Sequence, residues 1–308
     1  MLSQIVRRSW LLVPVDDTAP VGEAAASAAD VVVLDLMEFV PEQAKPAARE
    51  RLPEAIGLAA RHGAEVFVQV DKELLYADLK AAVWPGLSGI VLPRLESAAE
   101  LAEADALLWQ LEEQRGVRPG ALQIVGVVDT AKGNYRAMDI ARASPRLWGL
   151  SLGRADLVMD LRPEPSGEIH LMPYLMQRLI TVANAAGVAP LGAWWRAPAR
   201  GMLAPPDDTY QAAVRGRHIG FKGALCVRPH QVEPLNRGFT PLSSELEAAR
   251  EVIAAYEAAA DNGTAVIRVQ DRIVDVATVA QARQLLSVAE ACAQRDAAKT
   301  QARQRAIA

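Results

Sequence analysis

The most restrictive feature of this sequence is a rhythm: a short, nearly uninterrupted apolar run, then an amphipathic stretch, repeated along most of the chain. The apolar runs at 10–15, 31–35, 66–70, 89–92, 124–128, 147–152 and 224–227 are brief and rich in leucine or β-branched residues. Strands with this composition are buried on both faces, as in a parallel sheet covered by helices. Between them, residues 45–61, 98–113, 134–143, 169–186 and 208–219 carry helical periodicity. Regular βα alternation predicts a parallel α/β sheet. A seventh strand near 189–195 brings the count to eight and predicts a (β/α)8 TIM barrel. A doubly wound open sheet is the alternative that the same alternation allows.

The barrel is expected to occupy residues 1–260 and to close with a helix over 243–260. A C-terminal helical extension, 261–308, follows. It holds an apolar run at 265–269, the segment Asp271-Arg-Ile-Val-Asp275 and a helix over about 278–294, and is expected to pack on a neighbouring subunit. The polar tail 295–308 is expected to fray. The proline-rich stretch 196–208 reads as a long loop, either a lid or a solvated excursion.

Composition narrows the function classes. Of 308 residues, 51% are hydrophobic and 23% charged, the profile of a globular protein. The formal net charge of −4 argues against a nucleic-acid-binding surface, which is normally basic. No apolar segment approaches the ~20 residues of a membrane span. The N-terminal run after Arg7 and Arg8 is too short for a signal peptide and is closed by Pro14, Asp16 and Asp17. Cys226 and Cys292 form neither a disulfide framework nor a zinc spacing, so a reducing, cytoplasmic compartment is expected.

Polar residues cluster at the ends of the predicted strands: Asp35 and Glu38, Gln69 and Asp71, Arg94 and Glu96, Asp129, Thr130 and Lys132, Arg154 and Asp156. In a barrel these ends converge on one face, where enzymes of this architecture place their chemistry. Asp129 and Asp156 end consecutive strands. Two carboxylates held close repel each other, and a hard divalent cation such as Mg2+ relieves the repulsion. Each aspartate is equally placed to cap the helix that follows it. His230 reads as a structural loop residue and Trp194-Trp195 as barrel–helix packing, with a catalytic base and a ligand wall as their sharper alternatives. No phosphate-binding glycine loop, nucleophile elbow or metal-binding histidine pair is present.

The order of several motifs resembles the HpcH/HpaI aldolase and citrate lyase beta-subunit superfamily, in particular its CitE-like acyl-CoA lyase branch. Arg8-Ser-Trp-Leu-Leu-Val-Pro14 is similar to the family's RSxLFVPG, and Val33-Leu-Asp-Leu-Met-Glu-Phe-Val40 with Ala44-Lys45 to ILDLEDAV…AK. Gly89-Ile-Val-Leu-Pro-Arg-Leu-Glu-Ser97 is similar to GIVLPKVES, Asp129-Thr-Ala-Lys-Gly133 to ETxxG, and Gly153-Arg-Ala-Asp-Leu157 to GxEDL. The segment 223–236 is similar to GKxCIHPxQIxxVN, and Arg272-Ile-Val-Asp275 to RMID. Seven motifs in order cover almost the whole chain.

The resemblance implies a Mg2+-dependent barrel whose metal carboxylates are Asp129 and Asp156. It implies Asp275 as an acid/base reaching a neighbouring subunit's site, hence a homo-oligomer, a trimer or hexamer. It implies Arg8 on the nucleotide side, near CoA phosphates. Several positions depart from the family: Asp129 stands for Glu, Gln69 for the arginine that steadies the enolate oxygen, Met37-Glu38 for the family's acidic pair, Arg94 for its lysine and Arg228 for its histidine. Independently of the resemblance, Arg94, Lys132 and Arg154 at the predicted strand ends are candidates to bind substrate in place of the arginine missing at Gln69. The implied activity is carbon–carbon cleavage of a 3-hydroxyacyl-CoA thioester, or a related hydroxy acid, into an acyl fragment and a 2-oxo acid. The alternatives are a thioester hydrolase or 2-oxo-acid aldolase on the same barrel, and a catalytically silent binding or regulatory barrel.

Overall fold

The structure, a computed structural model, describes residues 5–153, 157, 160, 172–195, 201–260, 266–269 and 272–307. Eight parallel strands form one sheet: β1 (Ser9–Pro14), β2 (Val31–Asp35), β3 (Glu65–Gln69), β4 (Leu87–Leu92), β5 (Gln123–Val128), β6 (Leu147–Leu152), β7 (Ala189–Leu191) and β8 (Ala224–Cys226). Strands β1 to β7 neighbour one another in chain order, and β8 pairs with β1. The two ends of the sheet meet through backbone bonds. Gly192 N–H donates to Gly223 O at 2.8 Å, and Lys222 N–H to Pro190 O at 2.9 Å. The sheet is therefore a barrel, and the doubly wound alternative falls.

Eleven helices are described: α1 (Thr18–Ala26), α2 (Lys45–Ala60), α3 (Leu75–Ala82), α4 (Ala98–Arg115), α5 (Ala131–Tyr135), α6 (Ala137–Ala141), α7 (Met172–Ala186), α8 (Pro206–Ile219), α9 (Val232–Phe239), α10 (Ser243–Ala260) and α11 (Val276–Ile307). A hairpin, β9 (Ile267–Val269) with β10 (Arg272–Val274), precedes α11. Three helices escape the periodicity for local reasons. Helices α1 and α9 carry Pro20, Gly22, Pro234 and Gly238, residues that weaken a helical pattern, and α3 is only eight residues long. The single helix expected over 134–143 is two short ones, broken at Arg136 (φ −92°, ψ 9°).

Two apolar layers follow from strand alternation. One set of side chains, including Leu11, Val32, Leu34, Val66, Val68, Ile90 and Ile124, packs outward under the helices. The other, Trp10, Leu12, Val31, Val33, Phe67, Val91, Val125, Val127 and Leu191, fills the barrel interior. The interior ends below in aromatic rings: Trp10 lies edge-on to Phe67 at 4.9 Å and beside Trp148 at 5.4 Å. The buried Arg7 guanidinium sits 4.4 Å from the Trp148 ring centre and pairs with Glu65. That seal leaves the opposite, C-terminal end of the strands as the mouth.

The floor corrects the expectation of a frayed tail. Helix α11 runs to Ile307, and its second half lies under the barrel of its own chain. Lys299 donates to Ala28 O at 2.9 Å and pairs with Asp30; Arg303 donates to Ser27 O at 2.7 Å; Asp296 pairs with Arg8. Helical spacing puts Asp296, Lys299 and Arg303 on one face. A stretch that reads as solvated is thus a charged docking face. Among the described residues no helix is long and apolar enough to cross a membrane.

Candidate active site

Alternation along each strand aims specific polar groups at the barrel axis. Val31 and Val33 face the interior, so Asp35 does too; Phe67 sets Gln69 in the same direction; Val125 and Val127 set Asp129. All three side chains are buried.

Asp35 and Gln69 are register partners, and the Gln69 amide Nε2 donates to Asp35 Oδ1 at 3.2 Å. The rest of the Asp35 carboxylate holds its own loop, accepting N–H bonds from Met37 and Glu38 at 3.0 Å and from Phe39 at 2.6 Å. Burial pushes this carboxyl above the usual range, a shift that the N–H donors of Phe39, Glu38 and Met37 and the Gln69 amide only partly offset. Its lone pairs are occupied, so Asp35 is a loop-former. Asp71, at the next turn, is bound by Lys45 Nζ at 2.6 Å and caps the following turn through Glu73 N–H at 3.0 Å. Burial raises its pKa, but Lys45, the Glu73 N–H and the charge of Arg94 together carry it below the ordinary value.

Asp129 is placed differently, and this separates the two roles open to it. The cap of α5 is Thr130, whose Oγ1 accepts Gly133 N–H at 2.9 Å, while Ala131 N–H goes to Asp160 at 2.6 Å. Asp129 is therefore not the N-cap of α5. Its Oδ2 instead accepts the N–H of Arg94 at 3.1 Å, from the end of the neighbouring strand. Arg94 has φ 52°, the only positive φ of a non-glycine residue among those described. This left-handed conformation costs an L-residue about 1–2 kcal/mol, and such strain collects at functional sites. The Arg94 side chain is exposed at the rim.

Gly153 stands across from Asp129, one step beyond the Val128–Leu152 register pair. A Cβ there would lie 2.3 Å from Asp129 Cβ and 3.2 Å from its Oδ2. Only a bare Cα leaves the carboxylate its position. Gly153→Ala is therefore expected to turn Asp129 out of place and to lower divalent-cation affinity at least about tenfold, measured by calorimetric titration. Unchanged affinity would show that the position tolerates the methyl group.

The structure brings Gln69, Arg94 and Asp129 to the mouth. Asp156 and Arg154 lie outside the described residues. Arg8 is not at the mouth: it precedes β1, at the floor, with 2% exposure. Its guanidinium is held by Asp30 (Nε at 2.8 Å, Nη2 at 3.1 Å), Thr240 (3.0 Å) and Asp296. Despite burial, these bonds and charges raise its pKa. The expectation that Arg8 meets CoA phosphates is corrected accordingly, because its donors are spent on carboxylates at the wrong end of the barrel. Asp275 caps α11, with Oδ1 accepting the Thr278 N–H and hydroxyl, both at 2.8 Å. Those bonds, the backbone N–H first, hold its pKa below the ordinary value.

His230 is an exposed residue whose Nε2 lies 3.4 Å from Ala204 O, and Trp194 and Trp195 are half-buried against the outer core. Two site features escape a reading of the sequence. Gly153 is visible as a motif glycine but not as the residue facing Asp129. Lys72, next to Asp71 at a strand end, bonds the Arg94 carbonyl at 3.0 Å. Its only sequence signal is that position.

The chain has relatives among known proteins. Residues 8–229 match the sequence pattern of the HpcH/HpaI aldolase/citrate lyase family. The chain is 30% identical to the citrate lyase subunit beta of Escherichia coli (strain K12), over 92% of this chain and 93% of that one. It is 32% identical to the L-malyl-CoA/beta-methylmalyl-CoA lyase of Cereibacter sphaeroides (strain ATCC 17029 / ATH 2.4.9), over 86% and 89%. Among solved structures it is similar to the citrate lyase beta subunit of Mycobacterium tuberculosis complexed with oxaloacetate and magnesium. That match has a TM-score of 0.60 at 25% identity and covers 78% of this chain and 100% of that one. Closed barrel, ordered motifs and full-length likeness agree: the chain belongs to the HpcH/HpaI aldolase/citrate lyase family.

Proposed function

We propose that this chain is a Mg2+-dependent carbon–carbon lyase that splits a 3-hydroxyacyl-CoA thioester, or a related hydroxy acid, into an acyl fragment and a 2-oxo acid. The observation that carries the reading is the Asp129 carboxylate: buried at the mouth, aimed inward, and not used as a helix cap. It fits a magnesium site, because it offers a hard oxygen donor in a position steadied by Arg94 N–H and cleared by Gly153. Asp156 is assigned as the second ligand. When bound, the cation supplies Lewis-acid polarisation of the oxo-acid carbonyl. The relatives named above, two lyases and a magnesium complex with oxaloacetate, support the assignment.

The chain's own residues do the rest. Gln69, oriented by Asp35, donates an amide hydrogen bond to the oxygen on which enolate charge develops. Arg94, at the rim, attracts the anionic end of the substrate, and Arg154 is assigned the same role. Asp275 of a neighbouring copy takes the hydroxyl proton as the C–C bond breaks and returns a proton to the acyl carbanion. This last role requires a homo-oligomer, a trimer or hexamer. A strict monomer by light scattering would remove Asp275 from the reaction.

The test is a Mg2+ titration with and without oxaloacetate, glyoxylate or pyruvate, together with product analysis. Enhanced cation affinity with one oxo acid supports the lyase; CoA release without an oxo acid or aldehyde supports a hydrolase. One observation favours a silent barrel instead: Gln69 is neutral, and loss of a charged stabiliser can lower a rate about 10²–10³-fold. Gln69→Arg decides between them. For a working lyase it is expected to change kcat less than about tenfold; a gain of 10²-fold or more over a barely active parent marks a degenerate site.

A further inference from the structure

We propose that Lys72 is a positioning residue for the site: by holding the Arg94 carbonyl it keeps the strained turn whose N–H fixes the Asp129 carboxylate. The inference rests on the reading of Asp129 as a cation ligand.

The turn after β4 delivers two N–H groups to the next strand end. Leu95 N–H donates to Val127 O and Arg94 N–H to Asp129 Oδ2, both at 3.1 Å. Meeting both geometries drives Arg94 to φ 52°, a conformation an L-residue leaves unless its surroundings over-determine it. Lys72, from the turn after β3, supplies that constraint. Its Nζ donates to Arg94 O at 3.0 Å and to Glu100 Oε1 at 3.2 Å. Glu100 Oε2 in turn accepts the Glu96 N–H at 2.7 Å, so one ammonium group fastens both ends of the turn. On its far side the turn is tied by an ion pair between Lys132 and Glu96 at 2.8 Å, but that pair is partly exposed and touches no backbone of Arg94. Lys72 therefore links three consecutive strand ends, carrying Gln69, Arg94 and Asp129.

Without Lys72 the Arg94 peptide is free to relax to negative φ. Its N–H then swings off Asp129, and the carboxylate loses one of the bonds that set its orientation. Groups that orient a metal ligand change affinity about 10–100-fold when removed. Relief of the strain itself should cancel the effect, because glycine adopts φ > 0 without cost.

The experiment is Mn2+ binding followed by electron paramagnetic resonance on the full chain, with thermal melts in parallel. Lys72→Met is expected to weaken Mn2+ binding about tenfold, and the double variant Lys72→Met with Arg94→Gly to return it to within about threefold of wild type. A purely structural role for Lys72 would lower the melting temperature and would not be rescued by glycine. Asp129→Asn is the reference for the underlying reading. If it abolishes Mn2+ binding while Lys72→Met leaves binding at the wild-type level, Lys72 has no positioning role and the ligand reading stands. If Asp129→Asn binds as wild type does, both fall. Should Lys72→Met not melt cooperatively, Lys72→Gln takes its place, since its shorter amide cannot span Arg94 O and Glu100; the same loss and the same rescue are expected.

Discussion

Asp129→Asn is expected to abolish tight divalent-cation binding and to lower kcat/KM for cleavage by about 10³-fold, equivalent to about 4 kcal/mol of transition-state stabilisation. The substitution is nearly isosteric. The amide oxygen of asparagine can still accept the Arg94 N–H that Asp129 Oδ2 accepts at 3.1 Å, so the turn after β4 keeps its anchor. What disappears is the negative charge in a buried mouth position, where a charge acts through a low dielectric and counts for far more than at the surface. The thermal transition should hold or rise, since a desolvated carboxylate is replaced by a neutral group. Steady-state kinetics with a Mg2+ titration reads the effect. Activity within fivefold of wild type would take Asp129 out of the ligand set.

At the other end of the barrel, Asp30→Ala is expected to destabilise the fold by about 3–5 kcal/mol, because it removes the fully buried counter-charge shared by Arg8 and Lys299 and leaves them only the half-exposed Asp296. Asp30 has no exposed surface and receives the Arg8 backbone N–H at 2.8 Å, two bonds from the Arg8 guanidinium, and Lys299. For a chain of this length the loss corresponds to a fall of about 5–8 °C in melting temperature. Hydrogen exchange should rise over 295–303, where α11 loses its hold on the floor. A melting temperature within 1 °C of wild type would show that the network is energetically idle. Burial alone would raise the Asp30 pKa, but Arg8 and Lys299 outweigh it and the net shift is downward. The folded state therefore binds fewer protons in acid than the unfolded one, and stability rises with pH there. Asp30 contributes in full above the ordinary aspartate pKa of about 3.9, and the contribution drains away as pH falls through the lower folded value. Asp35, whose pKa is raised, acts in the opposite sense: its folded state keeps a proton longer, so its contribution weakens as pH rises past the unfolded value. In Asp30→Ala the acid limb of the stability curve should flatten.

The strands were readable because burial on both faces leaves a signature that needs no knowledge of partners: consecutive apolar residues such as Val31-Val-Val-Leu34, bounded by polar ones. Strand β7 is the least legible because its three ladder residues, Ala189-Pro-Leu191, include a proline, which demotes a run as a strand. Helices α1, α3 and α9 were hidden because their stability comes from packing: α1 and α9 carry proline and glycine, and α3 and α9 are only eight residues long. At the mouth, alternation was enough to predict that Asp35, Gln69 and Asp129 sit at strand ends. It could not distinguish the loop-forming role of Asp35 from the inward-aimed carboxylate of Asp129, since both are aspartates at the same kind of position. The N–H groups that make the difference, from 37–39 in one case and Arg94 in the other, are set by backbone geometry.

Read alone, the order of residues determined a parallel α/β sheet, the strand ends at which polar groups gather, and the family, with its barrel, to which the motifs point. These depend on local pattern: apolar period, strand length and motif order are properties of neighbouring residues. Tertiary structure alone decided that Arg8 belongs to the floor, that the tail is a docking helix, that Gly153 makes room for Asp129, and that Lys72 braces the turn beside it. Each of these joins residues distant in the chain, as Arg8 and Asp296 are, separated by 288 positions. Such pairings depend on where two strands or helices come to lie side by side, and a one-dimensional pattern carries no term for that.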